Sequence, residues 1–424
     1  MRVLWLTLGA SLWLGACAPS DTGVSGTAPG DTAGEDTATG DTDTWDTDTW
    51  DTGTSDTQTQ DTQTQDTQTT DAWADVEALV EVQRTKANIA GLAVAVTRPG
   101  EVVWTSAHGM ANIEEGRPVT VDTPFMLASV SKTVTGVAVM HATETDALAL
   151  DQDINTLLPF KVDNPLVMGE TIRLQHLVTH TSGIRDNWSN MPYADGDSPY
   201  ALGEYLEGYL VPGGAWYDPS ANFNGIMPGT AYEYGNIATA LAGYTVEAVT
   251  GIPFDDYCDT YIFDVLGLTD TAWHLADFDP DDVAMPYAYT GGTHVAYGHY
   301  GYADYPDGQL RSSIADLARF LAAVSNGGEI GGDRILQPDT VEALLSPPVP
   351  AVDPGQFVFW YQSEAAGRTV VGHGGSDQGV ATSMVFSPDT GIGVIFLLNS
   401  GWDTPVSDAV DLLTAALFEH AESQ

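Results

Sequence analysis

Apolar positions fall in two rhythms along this chain. Gly91-Leu92-Ala93-Val94-Ala95-Val96-Thr97 is apolar at almost every position and reads as a strand. Arg98-Pro99-Gly100 makes a turn, and residues 101–107 return as a second strand, so an antiparallel sheet is predicted. The second rhythm is helical. Val76, Leu79, Val80 and Val82 lie among charges within residues 71–88 and predict an opening helix. Val130, Val134, Val137 and Ala138 share one stripe at helical spacing, which predicts a buried helix starting near Ser129. Residues 109–123, with Pro118 among them, read as a loop-rich crossing.

From residue 148 to about residue 311 the pattern is helical with long loops. Residues 172–180 predict a short helix. Residues 237–249 predict a longer one that stops at Thr250-Gly251-Ile252-Pro253. Tyr234 and Asn236 therefore fall at a loop-to-helix junction, where side chains can project into a cleft. Residues 314–324 read as helix. The last third returns to strands at 357–362, 369–372, 380–386 and 392–399, and a helix over 407–420 closes the chain. Ser387-Pro388-Asp389-Thr390-Gly391 is a hairpin turn. Strands at both ends with helices between them predict a mixed α/β (α+β) fold. Its mainly antiparallel sheet is built from distant segments, flanked by helices, with an all-helical lobe inserted.

Composition changes this picture at the N-terminus. Arg2 precedes an apolar run over residues 3–14, too short for a permanent membrane span. The run ends in Leu14-Gly15-Ala16-Cys17, which resembles a bacterial lipoprotein signal over residues 1–17, with Cys17 lipidated. Ala18 follows the cysteine, so by resemblance the expected location is outside the cytoplasm, anchored at the outer membrane or cell surface. Residues 18–71 repeat Asp-Thr with few apolar positions. They read as a disordered, self-repelling linker before a domain over 72–424. Cys258 is the remaining cysteine and reads as a buried structural thiol.

The net charge is −46, with 59 acidic and 13 basic residues, which argues against nucleic acid and against a basic lipid-binding patch. That scarcity makes one lysine conspicuous. Lysine occurs only at 86, 132 and 161, and Lys132 sits inside an apolar helix where a charge is costly. It is three residues after Ser129, on the same helix face. A lysine shielded from water loses its proton more readily and can activate a serine hydroxyl. Acyl transfer also needs a proton relay and oxyanion donors. Tyr234 can relay protons if its pKa is lowered beside Lys132, and Asn236 can orient a substrate amide. The strand edge at His373-Gly374-Gly375 lets a substrate backbone approach closely. His176 and His180 are four apart, but no third ligand or intervening glutamate accompanies them, so no metal and no cofactor is expected.

Ser129-x-x-Lys132, Tyr234-x-Asn236 and His373-Gly374-Gly375 together resemble the serine β-lactamase and penicillin-binding-protein family. The nearest branch is that of class C β-lactamases, D-alanyl-D-alanine carboxypeptidases and related esterases. The resemblance covers roughly residues 76–418. It implies an acylated nucleophile at Ser129, activation by Lys132, and general acid–base work by Tyr234. It also implies substrate binding by Asn236, His373, Gly374 and Gly375, and an oxyanion hole from the backbone N–H groups of Ser129 and Ser376. Many β-lactamases have lysine where this chain has His373, a histidine only partly charged near neutral pH. The implied substrate is a small molecule or a D-amino-acid peptide, amide or ester, a peptidoglycan stem peptide among the candidates, with weak or no action on β-lactams. The competing reading is a surface-anchored binding protein of the same fold that has lost turnover.

Overall fold

Leu92, Val94 and Val96 point to one face of strand β1 (Gly91–Arg98), while Ala93 and Ala95 point to the other, and all five are fully buried. A strand covered on both faces must lie inside a layered fold. The computed structural model describes residues 72–145 and 147–424. The expected signal with Cys17 and the expected linker over residues 18–71 lie outside the described residues.

β1 turns back into β2 (Glu101–Asn112), which pairs with β3 (Arg117–Pro118). The C-terminal third supplies β4 (Tyr361–Ala365), β5 (Arg368–Asp377), β6 (Val380–Phe386) and β7 (Gly393–Leu398). They form one seven-stranded sheet in the order β4-β5-β6-β7-β1-β2-β3, and every pairing is antiparallel. β7 meets β1 with Leu398 opposite Leu92 and Val394 opposite Val96.

Two helical layers cover the sheet. The terminal helices α1 (Ala74–Lys86) and α5 (Thr404–Ser423) bring Val76, Val80, Leu413, Leu417 and Phe418 onto Leu92, Val94, Phe396 and Leu398. On the other face Ala93, Ala95, Ile395 and Leu397 join a cluster with Leu317, Phe320 and Leu321 of α4 (Ile314–Ser325). The same cluster continues into α2 (Ser131–Glu144) and α3 (Asn236–Thr250). α2 is buried nearly all round, which is why its sequence carries so little charge. Cys258 is a buried free thiol in this cluster, and burial pushes its pKa up.

Three segments depart from the sequence reading. β2 extends through Asn112 into the expected loop, because Asn399 Nδ2 donates to the carbonyls of Met110 and Ala111 at 3.0 and 3.2 Å and ties that end down. Residues 357–360 are not strand. Their apolar character comes from burial as a turn against α2, where Gly136 leaves room for the Val358 carbonyl: a Cβ there would lie 2.6 Å from it. The inserted segment is helical at its centre, but it also carries a hairpin, Tyr287–Thr290 with Thr293–Ala296. Gly291 and Gly292 both take positive φ, 61° and 86°, and close that hairpin in two residues.

Candidate active site

The chain enters α2 through a single 3-10 turn, Ala128–Val130. Ala128 sits at φ 48°, a left-handed conformation that costs a residue with a side chain. That turn leaves Ser129 partly open to solvent, while Lys132, one turn on, is 0% exposed. Lys132 Nζ donates to Ser129 Oγ at 3.2 Å, to Asn236 Oδ1 at 2.7 Å and to the Asp307 carbonyl at 2.7 Å. Three acceptors account for the three hydrogens of an ammonium. The Asp307 carboxylate lies 4.0 Å from the same nitrogen.

Tyr234 and Asn236 are placed by the start of α3. The Asp186 carboxylate accepts from the backbone N–H of Asn236 at 2.9 Å and of Ile237 at 3.1 Å, so it caps the helix from fifty residues upstream. Tyr234 Oη then donates to Ser129 Oγ at 2.8 Å. Behind Tyr234, the His180 ring lies tilted against the phenol ring with centroids 4.5 Å apart, and Phe359 packs on His180 at 5.5 Å. His180 Nδ1 accepts from the Gly235 N–H at 3.2 Å, and its buried Nε2 has no hydrogen-bond partner. His180 and Phe359 share the left-handed backbone of Ala128, at φ 55° and 58°. Three of the five such residues without glycine among the described ones thus bear on this cleft.

β5 forms the opposite wall. β4 ends its pairing with Tyr361 opposite Gly372, so residues 373–377 have a strand partner only on the β6 side. His373, Gly375 and Asp377 alternate onto one face of β5. On that face a Cβ at Gly375 would collide with the Leu127 carbonyl and the Thr382 hydroxyl and press on Ala128. The glycine therefore lets β5 close on the turn that carries Ser129; its missing side chain serves the protein's own packing. His373 Nδ1 donates to the Gly374 carbonyl at 2.6 Å, and its ring meets Tyr361 edge-on at 4.9 Å. Ser376 is exposed at the mouth, opposite Ala381.

Burial governs the charges here. Desolvation lowers the Lys132 pKa, opposed by the carboxylates of Asp307, Asp186, Asp304 and Asp377. Burial likewise raises the Tyr234 phenol well above its ordinary value, although its hydrogen bond to Ser129 works the other way. The expected lowering beside Lys132 is thus reversed. The ammonium sits 4.9 Å over the ring face, where it favours the lysine cation more than a phenolate at Oη. His373 is driven to about 3 by burial and by the Lys132 charge, so it is neutral near pH 7 instead of partly charged. Burial takes Asp186 up to about 6, against its two backbone donors.

Ser129, Lys132, Tyr234, Asn236 and the 373–376 edge thus line one cleft, although they come from three separate stretches of the chain. His176 and His180 do not converge. His176 Nδ1 accepts from the Arg173 N–H, and its pKa falls to about 4 through burial. Among the described residues no group of three or more His, Cys, Asp or Glu is placed to hold a metal. Asp186, Asp307, Ala128 and Phe359 escaped the sequence reading. No short-range pattern marks a helix cap fifty residues away, a backbone carbonyl acceptor, or a left-handed alanine. Around Ser129 Oγ the arrangement can take a proton at Lys132 or pass one through Tyr234.

Residues 76–417 match the family model described as Beta-lactamase. A β-lactamase of Yersinia enterocolitica is 26% identical over 368 residues, covering 78% of this chain and 88% of its own. The esterase EstB of Burkholderia gladioli is 28% identical over 236 residues, 50% of this chain and 54% of the esterase. A D-amino acid amidase of Ochrobactrum anthropi SV3 shares the fold with a TM-score of 0.68 at 21% identity, over 83% of this chain and 99% of the amidase. The family is one of serine hydrolases, and its model spans nearly all of the described domain: the chain belongs to the beta-lactamase family.

Proposed function

We propose that this protein is a serine hydrolase that works through an acyl-enzyme on Ser129. One observation carries the reading: Tyr234 Oη and Lys132 Nζ both lie within hydrogen-bond reach of a single, partly exposed serine oxygen. In this reading Ser129 attacks the acyl carbon, Lys132 and Tyr234 handle its proton and protonate the leaving group, and Asn236 holds Lys132 in place. The backbone N–H groups of Ser129 and Ser376 stabilise the oxyanion.

The substrate we infer is a D-amino-acid amide, peptide or ester lacking a free carboxylate beside the scissile bond. A neutral His373 offers no fixed cation for such a carboxylate, and the charges that bear on Lys132 are all carboxylates. Relatives named D-aminopeptidase and esterase are consistent with this class, beside others named β-lactamase, so the choice against dedicated β-lactam hydrolysis rests on His373. A panel of a D-amino-acid amide, a short p-nitrophenyl ester, a D-Ala-D-Ala peptide and a chromogenic cephalosporin tests it. Turnover of the amide or ester should exceed that of the two carboxylate-bearing substrates; the reverse order would overturn the substrate assignment. Failure of a fluorophosphonate to label Ser129 would overturn the enzyme assignment itself.

We further infer export and attachment to the cell envelope through Cys17, with residues 18–71 as tether. The motif around Cys17 alone supports this. Cys17→Ser should release the protein from the membrane fraction.

A further inference from the structure

Lys132 is wholly buried, and beneath it lie two carboxyl groups that the chemistry at Ser129 does not require. Asp304 and Asp307 are 2% and 5% exposed. They bracket a 3-10 turn, Tyr305–Asp307, with the Asp307 N–H donating to the Asp304 carbonyl at 3.1 Å, so both side chains emerge on one side. Both carboxyls hold their protons more tightly than a free aspartate, through burial first. Two carboxyls buried side by side favour a state in which one keeps its proton and the pair carries a single negative charge. The turn also delivers the Asp307 carbonyl to Lys132 Nζ at 2.7 Å and the Asp307 carboxylate to 4.0 Å.

We propose that the Asp304–Asp307 pair is the electrostatic partner of Lys132, sharing one proton and setting the pH at which the Lys132 amine can receive the Ser129 proton. The pair positions and tunes the lysine; it does not touch substrate. The proposal rests on the serine-hydrolase reading for its use, but its physical core stands apart from turnover. The other groups facing this centre are Asn236 and the capping Asp186 at the start of α3, Tyr234, Asp377 on β5, and Tyr302 on the segment before Asp304. His180 and His373, both driven neutral by burial, feel the lysine charge without adding to it. Burial raises the proton affinity of both aspartates, Asp304 raises that of Asp307 further, and the lysine opposes both.

The chain has only three lysines, so full-length protein labelled with [13Cε]lysine gives three side-chain resonances, and Lys132→Arg assigns the buried one. Because the pair shares one proton, removing either carboxyl leaves the other free to ionise. Asp304→Asn forces the charge onto Asp307, 4.0 Å from the amine, and should raise the Lys132 titration. Asp307→Asn leaves the charge on Asp304 and should move it little. Asp304→Asn with Asp307→Asn removes the charge and should lower it, by about 1–3 pH units. The rising limb of kcat/KM against pH should follow in the same order. Equal shifts in the two single variants, or no shift in the double variant, would overturn the proposal. If the double variant does not fold, the contrast between the singles still decides. A Ser129 that resists labelling would sink the hydrolase reading and leave the titration test intact.

Discussion

The layer between α1, α5 and β1–β7 and the cleft around Ser129 are both buried, but they are filled in opposite ways. In the layer, Leu92, Val94, Phe396, Leu413 and Leu417 meet with no exposed surface worth counting and no charge. Each such side chain contributes about 1.5–3 kcal/mol by leaving water. In the cleft, Lys132, Asp307, His180 and His373 are buried instead, beside a left-handed Ala128 and buried Ser131 Oγ and His180 Nε2 atoms that lack partners. Those features cost stability. The apolar layer can carry that cost, and the cleft uses it to hold an amine and a hydroxyl in a reactive arrangement.

If the comparison is right, the two regions should fail differently. Ser129→Ala should abolish fluorophosphonate labelling and ester turnover while leaving the unfolding midpoint nearly unchanged, as read by mass spectrometry and urea titration. Lys132→Ala should lower kcat/KM by at least about a thousandfold. Tyr234→Phe removes one hydrogen bond to Ser129 and should cost about 10²–10⁴ in kcat/KM with the fold kept. Leu413→Ala should do the converse, costing about 2–5 kcal/mol in urea unfolding while the turnover of folded enzyme holds. A large change in kcat there would break the separation between layer and cleft.

Two pH effects are smaller. Asp186 has a folded pKa near 6 against an ordinary 3.8, so the folded state binds the extra proton between these values. Stability therefore falls as pH rises from about 4 to 6, and Asp186→Asn should flatten that part of the curve in pH-dependent urea titrations. His373 should contribute nothing between pH 5 and pH 9, because it is already neutral there. An imidazole NMR titration of His373 inside that range would contradict the burial argument.

Sequence pattern carried the reading where chemistry and chain neighbours coincide. Ser129 and Lys132 are one helical turn apart, and Tyr234 and Asn236 straddle a helix start, so their juxtaposition follows from local geometry. The sheet was legible because strands such as β1 and β6 are apolar runs bounded by turns. What failed was whatever depends on depth. The Phe357–Trp360 stretch is apolar because it is a buried turn, and apolar content alone does not separate that from a strand. The proton affinities of Tyr234 and His373 turn on desolvation, which composition does not encode. Asp186 and Asp307 act through distances that only the folded chain brings within reach.

The β1–β7 ladder has a kinetic consequence. Residues 91–98 find their central partner only at 393–398, with about three hundred residues between them. Loop closure of that length delays the sheet until nearly the whole chain is available. A nascent chain released before β7 would present β1 as an unpaired apolar edge, open to aggregation. Completion of the fold is thereby linked to completion of synthesis, and a truncation that removes β7 should yield insoluble protein instead of a smaller active domain.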